Sequence, residues 1–453
     1  MRRFLSLVAV SLIACPSTDP EPPSDPTPSD EPGPAEVVSP EEAEDLDPAD
    51  DILHVSLTAA PVAEGLDGEA GYAYNGQIPG PTLRATVGDT LVVDLQNDLD
   101  APTTIHWHGV HVPWDMDGVA WMADPLAPGE STTITFTLGQ AGTFWYHPHF
   151  DTDSQVDQGL YGVLVVEDPD EPEVPDAVLV FDDAGEHHDD GDDDGAASAH
   201  AHADPLPDRW LVNGVAGGVL TAPPGQPLRA RLLNASNIAY LALRWQGARV
   251  IAHDQGLLPA LSQPEVLLLA PGDRAEVEWL VGGEDLQVFA EPFSLHGGAA
   301  PGEAEVVLSV SSEAPTPPAA VEWPFVATPP PVDPGYTDLR YVFQGDGEQW
   351  MINGELFPDV TVESVGLGAE TIIELRNVSP TRHPFHLHGH SFEVLSDGAG
   401  PATTYRLEDT VDVGIREVVR LRLLADNPGD WMVHCHLLPH AEQGMMTVLR
   451  VEE

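Results

Sequence analysis

The sequence predicts an all-β protein built from three consecutive Greek-key β-sandwich domains. Three observations lead to this class. Short runs of alternating apolar and polar residues recur along the chain, the turns between them are rich in Gly and Pro, and helical periodicity is almost absent. Alternation with a period of two is typical of β-strands, and many short strands joined by Gly/Pro turns favour sandwich domains. At 453 residues the chain is long enough for several such domains.

One sequence unit occurs three times, which supports three copies of one fold. Each copy contains an Asn-Gly pair after an apolar or aromatic run, at residues 75–76, 213–214 and 353–354. An alternating strand then opens at a glycine and closes at an asparagine, over residues 88–97, 225–234 and 368–377. Pro-rich joints at 168–176 and 313–335 separate the copies. We therefore expect domains at 52–168, 177–312 and 336–453.

The second domain is expected to carry an Asp- and His-rich insert over residues 182–208. Its composition is typical of a solvated, disordered loop. Weak capture of divalent metal ions by its histidines and carboxylates is the alternative interpretation.

The first 51 residues are interpreted as a targeting segment and a tether. Arg2 and Arg3 precede a short apolar run that ends in Leu-Ile-Ala-Cys, which resembles a bacterial lipobox. Residues 1–15 are therefore expected to be a lipoprotein signal ending at the lipidated Cys15, and the run is too short to span a membrane. Residues 16–51 are acidic and Pro-rich, which predicts a disordered tether. The protein is expected to be exported and lipid-anchored to a bacterial membrane, on its periplasmic or cell-surface face.

The charge of the chain excludes some partners. The sequence has 75 acidic and 17 basic residues, a formal net charge of −58, and all its basic residues are arginines. Such a surface repels nucleic acid and anionic lipids, so we expect no nucleic-acid partner and no membrane contact apart from Cys15. It attracts cations, including metal ions; solubility or adaptation to salt is the alternative explanation.

Four histidine clusters occupy equivalent places in the first and third copies. Each contains an H-x-H pattern, which on a strand projects both imidazoles to one face, as two ligands of a metal cluster require. One isolated pair would more often be two solvent-facing histidines, but four repeat-matched pairs point to a metal site. The middle copy has no H-x-H pair and is interpreted as a spacer. The pairs are His106/His108, His147/His149, His386/His388 and His434/His436.

The last cluster also contains a cysteine. Cys435 lies between His434 and His436, and His440 and Met445 follow it. A thiolate with imidazole partners and a nearby methionine are the donor types of a blue-copper electron-transfer site. A buried free cysteine beside surface histidines is the alternative for such a cysteine alone.

With these motifs together, residues 52–453 resemble the three-domain multicopper oxidases of the laccase and copper-resistance type. The resemblance implies cupredoxin-like domains and four copper ions: one type 1, one type 2 and a type 3 pair. It implies a type 1 copper held by His383, Cys435, His440 and Met445, and a type 2 copper held by His106 and His386. The type 3 pair would be bound by the remaining histidines of a cluster between domains one and three, His108, His147, His149, His388, His434 and His436.

The same resemblance implies an enzyme. A multicopper oxidase couples one-electron oxidation of small phenolic, aromatic or metal-ion donors to four-electron reduction of O2 to water. A metallo-oxidase or a copper-sequestering protein of copper homeostasis is the alternative, and a non-catalytic relative is a third possibility that the full ligand set disfavours. The chain has no Met-rich segment, which argues against a dedicated cuprous oxidase.

Beside Cys435, two carboxylates are candidate catalytic groups. Asp117 matches an acidic position that in this family lies near the type 2 copper and aids proton supply, although an Asp before Gly is also a common turn residue. Related bacterial oxidases place a Glu directly after the last copper histidine, where this chain has Ala441. Glu442 follows one position later, and that shift changes the direction of the side chain. The sequence leaves the proton route open.

Overall fold

The computed structural model describes residues 34–66, 68, 70–184, 206–207, 209–345, 349–398 and 400–453. The expected signal, residues 16–33 of the expected tether and most of the insert, residues 185–205 and 208, lie outside the described residues. Strands dominate the described chain, which contains two short α-helices and one 3-10 turn. None of its helices is long and apolar enough to cross a membrane. The predicted all-β class is confirmed.

The first copy of the repeat forms two four-stranded sheets, with orders β2-β1-β4-β6 and β3-β8-β7-β5. The central strand β4 pairs with β1 in parallel and with β6 antiparallel. Its elements are β1 (Ile52–Val62), β2 (Gly71–Tyr74), β3 (Gly80–Thr86), β4 (Thr90–Asn97), β5 (His106–His108), a 3-10 turn (Trp114–Met116), β6 (Ser131–Thr137), β7 (Gly142–His147), α1 (Thr152–Asp157) and β8 (Gly162–Glu167).

The second copy forms a six-stranded sheet, β10-β9-β12-β17-β14-β15, and a five-stranded sheet, β11-β21-β18-β13-β16, with a small β19-β20 pair. Its strands are β9 (Asp176–Ala184), β10 (Arg209–Val212), β11 (Gly218–Thr221), β12 (Leu228–Asn234), β13 (Leu241–Arg244), β14 (Val250–His253), β15 (Gly256–Ser262), β16 (Leu267–Leu269), β17 (Arg274–Trp279), β18 (Leu286–Glu291), β19 (Phe293–Ser294), β20 (Gly298–Ala299) and β21 (Glu305–Ser311).

The third copy has a seven-stranded sheet, β23-β22-β25-β31-β27-β28 with β29 on β27, and a five-stranded sheet, β24-β33-β32-β26-β30. Its elements are β22 (Leu339–Gly345), β23 (Trp350–Ile352), β24 (Glu363–Gly366), β25 (Ala369–Asn377), β26 (His383–Leu387), β27 (Phe392–Asp397), β28 (Gly400–Pro401), β29 (Leu407–Glu408), β30 (Thr410–Val413), β31 (Val418–Ala425), β32 (Gly429–Cys435), α2 (Leu438–Glu442) and β33 (Met446–Glu452). The domain boundaries expected from the sequence stay predictions.

The asparagine that closes the repeated strand has the same function in all three copies. Asn97 is fully buried, and its side-chain amide donates to the carbonyls of Ala101 and Leu126 at 2.9 and 2.8 Å. Asn234 and Asn377 make the equivalent pair of bonds in their own copies. A buried amide needs such partners. The repeated asparagine therefore fastens each central strand to the loops beyond it, which in the outer copies lead toward the histidine clusters.

The prediction of a disordered tether is wrong for residues 34–51. Val37 is fully buried among apolar side chains of the second copy, and its backbone N–H donates to the carbonyl of Val219 at 2.8 Å. Ala43 N–H donates to the carbonyl of Thr82 in the first copy at 2.9 Å. The composition of the segment is unfavourable for a core of its own. These few apolar residues nevertheless pack against strands that are already formed.

The apolar core shows which copies pack on each other around the histidine motifs. One cluster of buried side chains runs through both the first and the third copies and includes Trp107 and Trp431. A second cluster consists of side chains of the second copy together with Val37. The first and third copies therefore pack directly on each other, and the histidine motifs lie where they meet.

Candidate metal centre

Strand pairing brings the histidine motifs together within each outer copy. In the first copy β5 pairs with β7, so that His106 lies opposite His147. In the third copy β26 pairs with β32, so that His386 lies opposite His434. Directly opposed residues of antiparallel strands project their side chains side by side on one face of the sheet. Each outer copy thus presents two H-x-H motifs on one surface.

The two surfaces face each other. The rings of His106 and His388 stack with centroids 3.9 Å apart, and those of His108 and His386 stack at 3.8 Å. Ligand atoms of His149, His388 and His434 lie within 4.8 Å of one another. The ring centroid of His436 lies 4.9 Å from that of His108 and 5.8 Å from that of His147. The structure therefore brings together all eight histidines predicted for the cluster: His106, His108, His147, His149, His386, His388, His434 and His436.

Backbone carbonyls orient four of these rings. The Nδ1 atoms of four histidines donate to carbonyl oxygens at 2.8 to 3.0 Å: His106 to Asp117, His147 to Pro148, His386 to Asp409 and His434 to Cys435. A carbonyl only accepts, so each Nδ1 carries the hydrogen and each Nε2 keeps a lone pair. Such a fixed tautomer is the form in which a histidine binds a metal.

Several buried ring nitrogens of the cluster have no hydrogen-bond partner among the described residues. They are Nε2 of His106, His147 and His386, Nδ1 of His108, and both nitrogens of His436. A buried polar atom left unpaired costs about 1–3 kcal/mol, so six in one place require an explanation. A neutral His436 has one N–H and one lone pair, so these nitrogens offer at most five lone pairs, which metal ions bound between the rings would satisfy. The residues present therefore fit a cluster of imidazole-ligated metal ions.

Burial keeps seven of the cluster histidines neutral. Loss of solvent lowers the pKa of His108, His147, His149, His386, His388 and His436 well below the ordinary value, and neighbouring imidazoles lower each pKa further. Burial lowers the pKa of His434 to about 4. Neutral imidazole is the form that binds metals, so the rings need not lose protons to do so near neutral pH.

A second candidate site lies around Cys435, the one free cysteine among the described residues. His383 Nδ1 lies 3.4 Å and His440 Nδ1 3.7 Å from its Sγ, and the two nitrogens are 3.3 Å apart. A metal ion about 2.0–2.3 Å from each of three donors would hold them at roughly these separations. Met445 is fully buried, and its backbone bonds both to Cys435 and to His440. Two imidazoles, a thiolate and a nearby methionine are the donors of a blue-copper site.

The thiol of Cys435 depends on a metal for its ionisation. Burial raises the pKa of this thiol well above its usual range. The amide of Leu437 donates to Sγ at 3.5 Å, and this hydrogen bond lowers the pKa of the thiol less than burial raises it. The thiol therefore stays protonated without a metal, and a coordinated metal ion would deprotonate it.

Two contacts hold the imidazoles of this site. His383 Nε2 donates to Ser379 Oγ at 2.7 Å, which fixes its ring with Nδ1 toward the sulfur. Trp350 stacks on His440 with ring centroids 4.0 Å apart. His440 and Trp350 each retain only 6% of their surface in solvent. The imidazole of His440 is consequently covered by Trp350 and almost closed to solvent.

Asp117 lies inside the cluster. It is fully buried, its Oδ2 accepts from His388 Nδ1 at 2.8 Å, and its Oδ1 lies 3.1 Å from His106 Nδ1. One carboxylate thus contacts a histidine from each outer copy. Glu442 is placed differently: it is exposed, and its Oε1 accepts the backbone N–H of Thr152, the first residue of α1, at 2.8 Å. Among the described residues, no contact joins Glu442 to the histidine cluster.

A buried ion pair that no sequence motif indicated lies beside the cluster. Asp409 Oδ1 lies 3.0 Å from His108 Nε2, and Arg274 donates to both oxygens of this carboxylate at 2.8 and 2.6 Å. Gly109 follows His108 with a φ of +83°, and a Cβ there would lie 2.5 Å from the Arg274 guanidinium. Arg274 belongs to the second copy, so that copy contributes a contact beside the cluster although it has no H-x-H pair. Its interpretation as a spacer that keeps the outer copies in register stays a prediction. No spacing within the sequence relates residue 274 to residue 409, because their contact joins two copies.

Comparison with known proteins agrees with this geometry. Family profiles described as Multicopper oxidase match residues 60–171 and 329–453, the two copies that carry the histidines. A Mycobacterium tuberculosis protein named Multicopper oxidase MmcO is 30% identical over 432 residues, which cover 83% of this chain and 82% of that protein.

Solved structures give the same result. The multicopper oxidase from Campylobacter jejuni, described as a metallo-oxidase, has a TM-score of 0.80 and 25% identity over 93% of this chain and 96% of its own. A laccase from Pediococcus acidilactici has a TM-score of 0.76 and 26% identity over 92% of this chain and 93% of its own. The fold, the histidine cluster and these relatives together show that the chain belongs to the multicopper oxidase family, enzymes that oxidise electron donors with O2.

Proposed function

We propose that the chain binds four copper ions in the two sites described above. In this proposal His383, Cys435 and His440 would hold the type 1 copper together with Met445, and His106 and His386 would hold the type 2 copper. The other six cluster histidines bind the type 3 pair. The observation that carries the proposal is the set of buried, unpartnered imidazole nitrogens that converge between the first and third copies. Bound copper supplies one-electron redox chemistry at the thiolate site and O2 reduction at the histidine cluster.

Residues of β32 connect the two sites. Cys435 belongs to the first site, while its neighbours His434 and His436 both lie in the cluster. The backbone N–H of His436 donates to the carbonyl of Pro384 at 2.7 Å, which holds this junction against β26. Electrons received near His440 therefore have two short covalent routes from the sulfur to the cluster. This arrangement suits donors that give one electron at a time to an acceptor that needs four.

The carboxylates have different proposed functions. Asp117 contacts His106 and His388, so we propose that it positions one ligand from each outer copy. Hydrogen bonds of this kind orient metal ligands and raise their basicity. Glu442 accepts a hydrogen bond at the N-terminus of α1, which favours a structural function over the catalytic one expected from the sequence. The shift of the acidic residue from position 441 to 442 thus directs it to the helix.

Small phenols or metal ions are the proposed donors. Two observations favour metal ions: the net charge of −58 attracts cations, and the Campylobacter jejuni relative is described as a metallo-oxidase. The Pediococcus acidilactici relative is called a laccase, which favours phenolic donors. Copper sequestration without turnover is the second candidate function, because the preformed sites would hold copper in either case.

Oxygen uptake by the copper-loaded protein distinguishes these functions. We expect uptake with at least one of four donors, a phenol, Fe(II), Cu(I) or Mn(II), and none by the copper-free protein. Uptake with the phenol alone would contradict a metallo-oxidase. Copper binding without uptake for any donor would favour sequestration and contradict the proposed oxidase.

Lipid anchoring at Cys15 remains part of the proposal. It is supported by the basic residues, the apolar run and the Leu-Ile-Ala-Cys sequence of the first 15 residues. Mass spectrometry of the N-terminal peptide from bacterial membranes tests it. We expect a lipid-modified Cys15, and an unmodified Cys15 or an uncleaved Met1 would contradict the anchor.

A further inference from the structure

A cavity of about 320 Å³ lies between the second and third copies, beside the histidine cluster. Its lining includes His253, Asp254, Asp273, Arg406, Glu408 and Thr410. Asp254 and Glu408 are 4% and 6% exposed. None of the lining residues is a proposed copper ligand, and no function described above uses this cavity.

Thr410 connects the cavity to the cluster. It lines the cavity, and its Oγ1 lies 3.1 Å from His108 Nε2 and 3.1 Å from His386 Nδ1. The same hydroxyl donates to Asp409 Oδ1 at 3.0 Å. A hydroxyl can accept a proton on one side and give up its own on the other. Thr410 is therefore placed to take a proton from the cavity side and to give its own to Asp409, which lies 3.0 Å from His108 at the edge of the cluster.

Asp254 lies on the cavity side of this hydroxyl. Its Oδ1 accepts the backbone N–H of Arg274 at 2.9 Å, while its Oδ2, within the described part of the chain, accepts only the backbone N–H of Thr410 at a long 3.4 Å. Oδ2 is consequently the oxygen with room to carry a proton. The buried carboxyl of Asp254 thus lies next to Thr410, whose side chain contacts the cluster.

Acidic side chains outnumber basic ones in the cavity wall. Arg382 and Arg406 are the two basic lining residues, and six are acidic: Asp254, Asp273, Asp397, Glu408, Asp412 and Glu417. The buried pair of Arg274 and Asp409 beside the cavity adds one charge of each sign. Six ionised carboxylates against two guanidinium groups would leave an uncompensated negative charge in a largely buried place, which is costly. Neutral carboxylic acids relieve that cost. Burial raises the pKa of Asp254 to about 8; Arg274 opposes this rise, and Asp409 and Glu408 add to it.

We propose that this cavity is a proton intake for O2 reduction, in which Asp254 holds a proton and the Thr410 hydroxyl relays it to the cluster. The inference rests on the proposed oxidase function. Reduction of one O2 to two H2O takes four electrons from four one-electron donor oxidations and four protons from solvent. Each proton that leaves Asp254 toward Thr410 is replaced from water in the cavity. Asp254 and Thr410 touch no O2 themselves, so both are positioning and relay residues.

The test compares variants of the full, copper-loaded chain. Asp254→Asn removes the acidic proton with little change of shape, and Thr410→Val removes the hydroxyl. Asp182→Asn is the matched control, because Asp182 is also a buried acid but does not line the cavity; its carboxyl accepts from the Tyr161 hydroxyl and from the backbone N–H of Asp183. Thr410→Ser keeps the hydroxyl and should restore what Thr410→Val loses.

Four kinetic results are expected. Asp254→Asn and Thr410→Val should slow O2 consumption by the fully reduced protein about 10-fold, less than the ~100-fold or more lost with a sole proton-transfer group, because Asp117 borders the same cluster. The solvent deuterium effect on this step should increase. In the wild type, the rate should fall as pH rises through about 8, where Asp254 ionises, and Asp254→Asn should lose that dependence. Anaerobic bleaching of the blue absorbance by the donor should stay unchanged.

An infrared measurement does not depend on turnover. The copper-free wild type at pH 7 should show an infrared band of protonated carboxyl groups. The part of this band that comes from Asp254 should disappear in Asp254→Asn. It should persist in Asp182→Asn, which loses only the contribution of Asp182. Wild-type rates and isotope effects in both Asp254→Asn and Thr410→Val would overturn the proposal. If a variant loses copper, the infrared comparison decides, and absence of the Asp254 band from the wild type overturns the proposal. No O2 uptake by the wild type with any donor would instead refute the proposed oxidase.

Discussion

Replacing Arg274 with Met is expected to destabilise the copper-free protein by about 3–5 kcal/mol, the usual cost of removing one partner from a buried ion pair. Arg274 is 1% exposed. Its guanidinium donates to both oxygens of Asp409 at 2.8 and 2.6 Å and lies 3.3 Å from Asp254. Met fills much of the same volume but leaves two buried carboxyl groups without their cation, so the loss exceeds that of an ordinary surface substitution.

Urea unfolding followed by tryptophan fluorescence measures this loss. Arg450→Met is the matched control, because Arg450 pairs with Asp430 on the exposed face of the third copy at 2.5 and 2.7 Å. Exposed ion pairs contribute little to stability, so the control should unfold close to the wild type. Equal destabilisation by the two substitutions would refute the reasoning that Arg274 neutralises buried charge.

Arg274→Met should also weaken the binding of copper at the histidine cluster but not at the Cys435 site. Asp409 lies 3.0 Å from His108 Nε2 and accepts from His386 through its backbone carbonyl, so a displaced Asp409 releases two proposed ligands. Loss of such supporting contacts typically costs about 10–100-fold in metal affinity. Chelator titration should show this loss for the cluster while the blue absorbance of the Cys435 site persists. Simultaneous loss of both sites would contradict a local effect.

Three further substitutions test individual contacts. Ser379→Ala removes the 2.7 Å hydrogen bond to His383 and makes that imidazole less basic, so a redox titration of the blue absorbance should give a higher potential, and an unchanged potential would contradict the contact. Gly272→Ala places a Cβ 3.1 Å from the ring of His436 at a φ of +90°, so copper analysis should show loss from the cluster; full copper content would refute that crowding. Glu442→Gln should lower the free energy of unfolding by about 0.3–1 kcal/mol through its contact at α1 and leave turnover near the wild type, whereas a large drop in kcat would restore the catalytic function expected from the sequence.

Local pattern was sufficient for the fold class and for the histidines of the site. The strands predicted at residues 88–97, 225–234 and 368–377 occur as β4, β12 and β25. Their closing asparagines make the same bonds in each copy, which is why the repeat could be recognised without a structure. The H-x-H motifs could be predicted as one site because strand geometry places alternate residues on one face.

Contacts between copies were not predictable in the same way. The pair of Arg274 and Asp409 joins two copies across more than a hundred residues, and neither residue stands in a metal-ligand pattern. The packing of Val37 was hidden by the acidic, Pro-rich composition around it. Glu442 follows the last histidine motif, but its direction depends on where α1 of the first copy lies. Such tertiary contacts depend on how the copies pack on each other, which local sequence patterns do not determine.

In the proposed function Cys435 carries electrons from the donor to the histidine cluster. The ratio of donor oxidised to O2 consumed, with copper counted per chain, tests this function in the wild type and in Cys435→Ser. We expect four coppers, blue absorbance and four one-electron oxidations per O2 in the wild type. In Cys435→Ser we expect three coppers, no blue absorbance and no donor-dependent O2 uptake. Sustained uptake by Cys435→Ser at the wild-type rate would refute electron transfer through Cys435.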